Sequence, residues 1–132
     1  MNSSTPSANP LVRVLIVDDV PAVREGLRLF LEDQPGLAVV GEAHDGRAAL
    51  AVVSTLRPDV VLMDIEMPGG DGLAATRAIK ALEQPPAIVI MSVYADEKTR
   101  ALAFSAGADR FIEKTAALEE VAQTLRHVLR RD

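Results

Sequence analysis

Residues 58–72 read Pro-Asp-Val-Val-Leu-Met-Asp-Ile-Glu-Met-Pro-Gly-Gly-Asp-Gly. The four apolar residues Val60 to Met63 are too few for a helix and stand between Pro58-Asp59 and Asp64. Such a run is a strand covered on both faces. Pro68, Gly69 and Gly70 then turn the chain, and Leu73, Ile79 and Leu82 carry helical spacing. Gly69, Gly70 and Gly72 lack the spacing and the lysine of a P-loop, so they read as a turn into a helix and not as a phosphate cradle.

The same strand-then-helix unit recurs on both sides of this stretch. Val12-Arg13-Val14-Leu15-Ile16-Val17 and Ala87-Ile88-Val89-Ile90-Met91 are further short apolar runs. Weaker strands are expected over Leu37 to Ala43, after Pro35-Gly36, and Arg110 to Glu113, after Gly107. Helical spacing falls between and after them: Val23, Leu27, Phe30 and Leu31; Ala48, Ala49, Val52, Val53 and Leu56; Leu102 and Ala106; Leu118, Val121, Leu125, Val128 and Leu129. Pro21 suits a first helical turn, while Asp45, Asp71 and Thr115 are expected to cap helix starts. Five strands alternating with five helices imply a parallel sheet with helices on both faces, a doubly wound α/β sandwich.

A chain of 132 residues holds one well-buried core and no second full-sized domain. With 48% hydrophobic and 25% charged residues and a mean hydropathy of +0.16, it is expected to fold rather than stay disordered. Residues 1–10, rich in Ser, Asn and Pro, read as a flexible leader, and residues 11–131 as the domain. The absence of a long apolar run or a signal-type N-terminus argues against a membrane and for a cytoplasmic location. The absence of Cys excludes disulfides and thiolate metal sites. A net charge of -5 disfavours direct contact with nucleic acid, and Arg126, Arg130 and Arg131 are expected to complement the dipole of the last helix.

In a parallel sheet every strand delivers its C-terminal end to one edge, where ligands bind. The first strand runs into Asp18 and Asp19, the third into Asp64, the fourth into Ser92 and the fifth into Lys114. A single Asp closing a strand is usually a turn residue, but five polar groups on one edge form a constellation. Clustered carboxylates repel unless a cation joins them. An all-oxygen donor set suits Mg2+, whereas zinc would favour His or Cys. Asp64 then reads as a nucleophile that takes up a phosphoryl group as an aspartyl phosphate, with Lys114 holding a phosphoryl oxygen. His44 and His127 have no metal-ligand spacing and read as surface residues, and Met63, Met67 and Met91 as packing.

These residues resemble the receiver domains of bacterial two-component response regulators from Leu11 to the last helix. The resemblance rests on VLIVDD (Asp18, Asp19), VVLMDIEMPGGDG around Asp64, IVIMS (Ser92) and GADRFIEK (Lys114). The stretches PAVREGLRLFLE and VVGEAHDGRAAL are most similar to receivers that carry a LuxR-type helix-turn-helix domain and act in transcription regulation.

The resemblance implies a flavodoxin-like fold with a five-stranded sheet of order 2-1-3-4-5. It also implies phosphorylation of Asp64 by a sensor histidine kinase or phosphotransfer protein, and Mg2+ held by Asp19, Asp64 and the Glu66 backbone carbonyl, with Asp18 acting through water. Ser92 is expected to bond the phosphoryl group and draw its loop inward, with Phe111 following. The face from helix 4 to helix 5 would then change for partners, among them a second copy.

Val93 is bulkier than the Ala or Gly common after the hydroxyl, Phe111 stands in place of Tyr, and Thr115 in place of a common Pro. Glu66 and Tyr94 are expected to flank the site and slow water attack on the phosphorylated state. A haloacid-dehalogenase-type phosphatase also uses an Asp nucleophile, but it spaces two Asp one residue apart, whereas Asp18 and Asp19 are adjacent. A receiver that works without phosphorylation is the other alternative. No action on a separate substrate is expected. The chain reads either as a stand-alone receiver or as the receiver part of a longer regulator.

Overall fold

The computed structural model describes residues 11–68 and 71–129. The expected leader, the Gly69-Gly70 turn, Arg130 and Arg131 lie outside the described residues. In chain order the elements are β1 (Val12–Val17), α1 (Pro21–Glu32), β2 (Leu37–Ala43), α2 (Gly46–Leu56), β3 (Val60–Asp64), α3 (Asp71–Lys80), β4 (Ala87–Ser92), α4 (Glu97–Ser105), β5 (Arg110–Glu113) and α5 (Leu118–His127). The strands pair in parallel in the order β2-β1-β3-β4-β5, the flavodoxin-like order expected.

The apolar runs serve two layers, because successive side chains of a strand point to opposite faces. Val14, Ile16, Leu62, Val89 and Ile112 pack with Leu27 and Leu31 of α1 and Val121 and Leu125 of α5. The alternate residues Leu15, Val17, Val61, Met63, Ile88 and Ile90 pack with Val53 of α2, Ile79 of α3 and Ala103 of α4. Each fully buried aliphatic side chain contributes about 1.5–3 kcal/mol by leaving water, so the three central strands hold both layers.

Several local expectations need correction. α5 starts at Leu118 after Ala117, with no side-chain cap, so Thr115 does not cap it. Asp71 is the first residue of α3, and its carboxylate accepts from the Gly46 N–H at the start of α2, joining the two helices instead of capping its own. Leu102 is exposed, and Ala103 is the α4 residue in the core, since a short helix lying close to the sheet admits a small side chain there. Asp45 does cap α2, accepting from the Ala48 N–H at 2.8 Å, and Pro21 opens α1.

At the N-terminal edge, Lys80 Nζ donates to Asp109 Oδ2 at 2.9 Å and to the Pro86 carbonyl at 3.0 Å. Gly107, at φ 112°, turns the chain beside Lys80, whose Cγ would lie 2.8 Å from an added Cβ. Gly26 is the opposite case: it lies inside α1, and an added Cβ would meet nothing within 4 Å. Gly26→Ala should therefore stabilise the fold by about 0.5–1 kcal/mol through helix propensity. Urea unfolding that gives an unchanged or lower midpoint would refute this.

Candidate phosphoacceptor site

β1 pairs with β2 on one side and β3 on the other, so the strand order reverses at β1, and the carboxyl ends of β1 and β3 open the crevice there. Asp64, the last residue of β3, is 3% exposed, and Asp18, just past β1, is 2% exposed. Asp19 is half-buried. One carboxylate oxygen from each of these three residues lies within 4.8 Å of the others. Lys114 Nζ reaches in from the end of β5, 3.2 Å from Asp18 Oδ2 and 3.2 Å from Asp64 Oδ2.

Three carboxylates thus face one ammonium group. Asp64 Oδ1 accepts from the Glu66 N–H at 2.9 Å, but Oδ2 is buried and, although Lys114 is near, accepts no well-aimed hydrogen bond. Burial raises the Asp64 pKa above the ordinary value, and the Asp18 charge adds to the rise; the Glu66 N–H and Lys114 act against it. For Lys114, burial pulls the pKa down, and the charges of Asp64 and Asp18 outweigh it and raise the value. A buried carboxylate oxygen lacking an aimed donor, beside two further carboxylates, fits a hard cation with oxygen ligands such as Mg2+.

Asp18 is fixed from two sides: the Val20 N–H donates to its Oδ1 at 2.9 Å, and Arg24 Nη1 donates to its backbone carbonyl at 2.6 Å. Arg24 also pairs with Glu42 at 3.1 Å, and Glu42 pairs with Arg28 at 2.8 Å. Sequence reasoning missed Arg24. Its signal was a cation near the positive end of α1, where the helix dipole disfavours one unless a partner waits there.

Ser92 ends β4 and is fully buried. Its hydroxyl donates to Glu66 Oε2 and accepts from the Tyr94 N–H at 2.9 Å, while the Val93 N–H donates to Glu66 Oε1 at 2.9 Å. The side chains of Val93 and Tyr94 are exposed. Phe111 is half-buried on the face of β5 toward α4, with the Arg100 guanidinium 4.7 Å from its ring centroid. Asp18, Asp19, Asp64, Ser92 and Lys114 therefore meet at one edge. His44 and His127 are exposed and belong to no metal-like cluster among the described residues, and Met63, Met67 and Met91 are buried in the core. A concavity of about 920 Å3 opens at the opposite edge of the sheet beside Pro58, Lys80, Pro86 and Asp109, and none of the site residues lines it.

The family profile described as "Response regulator receiver domain" matches residues 14–126. The transcriptional regulatory protein LiaR of Bacillus subtilis is 42% identical over 117 residues, which cover 88% of this chain and 55% of that protein. The chain spans about half the length of the curated relatives it matches. The crystal structure of a LuxR-family two-component response regulator from Aurantimonas superposes with a TM-score of 0.85 at 36% identity, covering 90% of this chain and 85% of that one. The CheX-CheY-BeF3-Mg2+ complex from Borrelia burgdorferi has a matching chain with a TM-score of 0.80 at 26% identity, covering 90% of each.

Proposed function

The chain belongs to the response regulator receiver domain family of two-component systems, and we propose that Asp64 is its phosphoacceptor, working with Mg2+ held by Asp18, Asp19, Asp64 and the Glu66 backbone carbonyl. The observation that carries this reading is the Asp64 carboxylate, buried, in contact with Lys114 and left with one oxygen lacking an aimed donor. An Asp64 oxygen attacks the phosphorus of a phosphohistidine; the P–N bond breaks and its electron pair stays on the imidazole. Lys114 holds one phosphoryl oxygen, and the Ser92 hydroxyl and Val93 N–H another, as negative charge redistributes. Bound Mg2+ would supply the positive charge that lets two anions approach.

The test uses acetyl phosphate in place of the kinase. Intact-mass spectrometry should find one added phosphoryl group in the presence of Mg2+ and none with EDTA, on the peptide that contains Asp64. An unmodified protein under both conditions would sink the reading.

Receivers of this family interact with histidine kinases or phosphotransfer proteins, and such a donor is the expected partner here, with the chain acting on no separate substrate. The similarity to LiaR supports transcription regulation as the output of the whole regulator. Exposed Leu102 and Phe104 on α4 and Leu118 on α5 support pairing of two copies through the face of α4, β5 and α5, where Phe111 would report the state of Ser92. Among the described residues no helix is long and apolar enough to cross a membrane; a cytoplasmic location and no direct nucleic-acid contact by this domain, which carries a net charge of -5, complete the reading.

A further inference from the structure

Glu66 stands two residues beyond Asp64 and touches both halves of the site. Its backbone N–H holds Asp64 Oδ1 at 2.9 Å. Its two carboxylate oxygens take the two donors at the end of β4, Oε2 the Ser92 hydroxyl and Oε1 the Val93 N–H at 2.9 Å. Ser92 is fully buried, so its hydroxyl has no access to bulk water as a replacement partner. It has one proton to donate, which Glu66 takes, while its oxygen accepts from the Tyr94 N–H.

We propose that the Glu66 carboxylate is a built-in competitor for the phosphoryl oxygens, clamping the Ser92-Val93 donor pair in the unphosphorylated chain so that phosphoryl uptake must displace it. A carboxylate accepting these two hydrogen bonds, one from a hydroxyl and one from a backbone N–H, occupies the same donors that a phosphoryl oxygen on Asp64 would use. Each of those donors can serve either Glu66 or the group on Asp64. The clamp therefore weakens every anion that seats on Asp64 by the free energy of the bonds it gives up. It also holds residues 92–94 in their resting arrangement, so departure of the Glu66 side chain is the local event by which the loop is set free.

This rests on the reading of Asp64 as phosphoacceptor and differs from shielding the acyl phosphate against water, which would change only the rate of phosphate loss. Glu66→Ala keeps the backbone N–H to Asp64 and deletes both acceptor oxygens. Glu66→Gln keeps one acceptor oxygen for two donors.

The test is a fluorescence or NMR titration of the chain with beryllium trifluoride in the presence of Mg2+, together with amide hydrogen exchange of the ligand-free proteins. The expected result is binding about tenfold tighter in Glu66→Ala than in the wild type, with Glu66→Gln between them, and faster exchange of the Val93 N–H in ligand-free Glu66→Ala. Destabilisation by the substitution would weaken binding, the opposite direction. Equal or weaker affinity in both variants, or an unchanged Val93 exchange rate, overturns the clamp while leaving Asp64 as acceptor. A wild type that takes up no beryllium trifluoride overturns both.

Discussion

Asp64→Asn is expected to bring phosphoryl uptake from acetyl phosphate down to background while leaving the fold intact. The amide oxygen can still accept from the Glu66 N–H, which preserves the turn after β3. What is lost is the proposed nucleophile and its charge. An amide has no anionic oxygen to attack phosphorus, and its NH2 group would face the Lys114 ammonium that now lies 3.2 Å from Asp64 Oδ2. Asp18 is as buried as Asp64 and as close to Lys114, yet its Oδ1 is tied to the Val20 N–H and it lies on the neighbouring strand end.

The same variant should lose most of the stabilisation that Mg2+ confers. A ligand at a hundred times its Kd raises the unfolding free energy of the wild type by about 2.7 kcal/mol, and the substitution removes one of the proposed metal ligands. Thermal melts with and without Mg2+ check this. A full Mg2+-dependent rise in the Asn variant, or a persistent phosphoryl adduct, would place the chemistry on another residue.

Gly72→Ala is expected to destabilise the fold by about 1–2 kcal/mol and to disturb the site with it. The first turn of α3 packs directly on the backbone that carries Asp64: an added Cβ would lie 2.5 Å from the Asp64 carbonyl oxygen and 2.6 Å from Ile65 Cα. Neither atom belongs to a flexible side chain, so α3 would have to retreat from β3. Overpacking of a tight contact costs about 1–3 kcal/mol, and here a helix-propensity gain of about 1 kcal/mol offsets part of it. Chemical denaturation and the Mg2+-dependent melt measure both effects. The comparison with Gly26→Ala isolates the cause, because the same chemical change in an open helical position should be stabilising. A Gly72→Ala protein as stable as the wild type would mean that this approach is looser than 2.5 Å.

The strand bounds Leu37–Ala43 and Arg110–Glu113 were legible because Pro35-Gly36 and Gly107 punctuate the chain just before them. The five polar residues were legible as one site for a different reason. Each closes a strand or lies within two residues of its C-terminal end, and parallel pairing sends those ends to one edge. Helix detail was less readable. Leu102 and Ala103 are adjacent on a nine-residue helix, and the choice between them depends on how closely α4 lies to the sheet, not on the spacing of its apolar residues. Thr115 is a good capping residue by type, but the chain after Lys114 runs on to Ala117 before α5 begins.

By itself the sequence determined the alternation of elements, the parallel sheet and the edge on which Asp18, Asp19, Asp64, Ser92 and Lys114 gather, since these follow from hydrophobic period and strand ends. Only the tertiary structure decided that Arg24 holds the Asp18 carbonyl, that α3 rests on the Asp64 backbone at Gly72, and that Glu66 reaches across to Ser92 and Val93. Those contacts join residues from separate segments through the rotamer of a long side chain or the close approach of two backbones. Neither has a period or spacing along the chain, so each exists only once the packed elements set the distances between them.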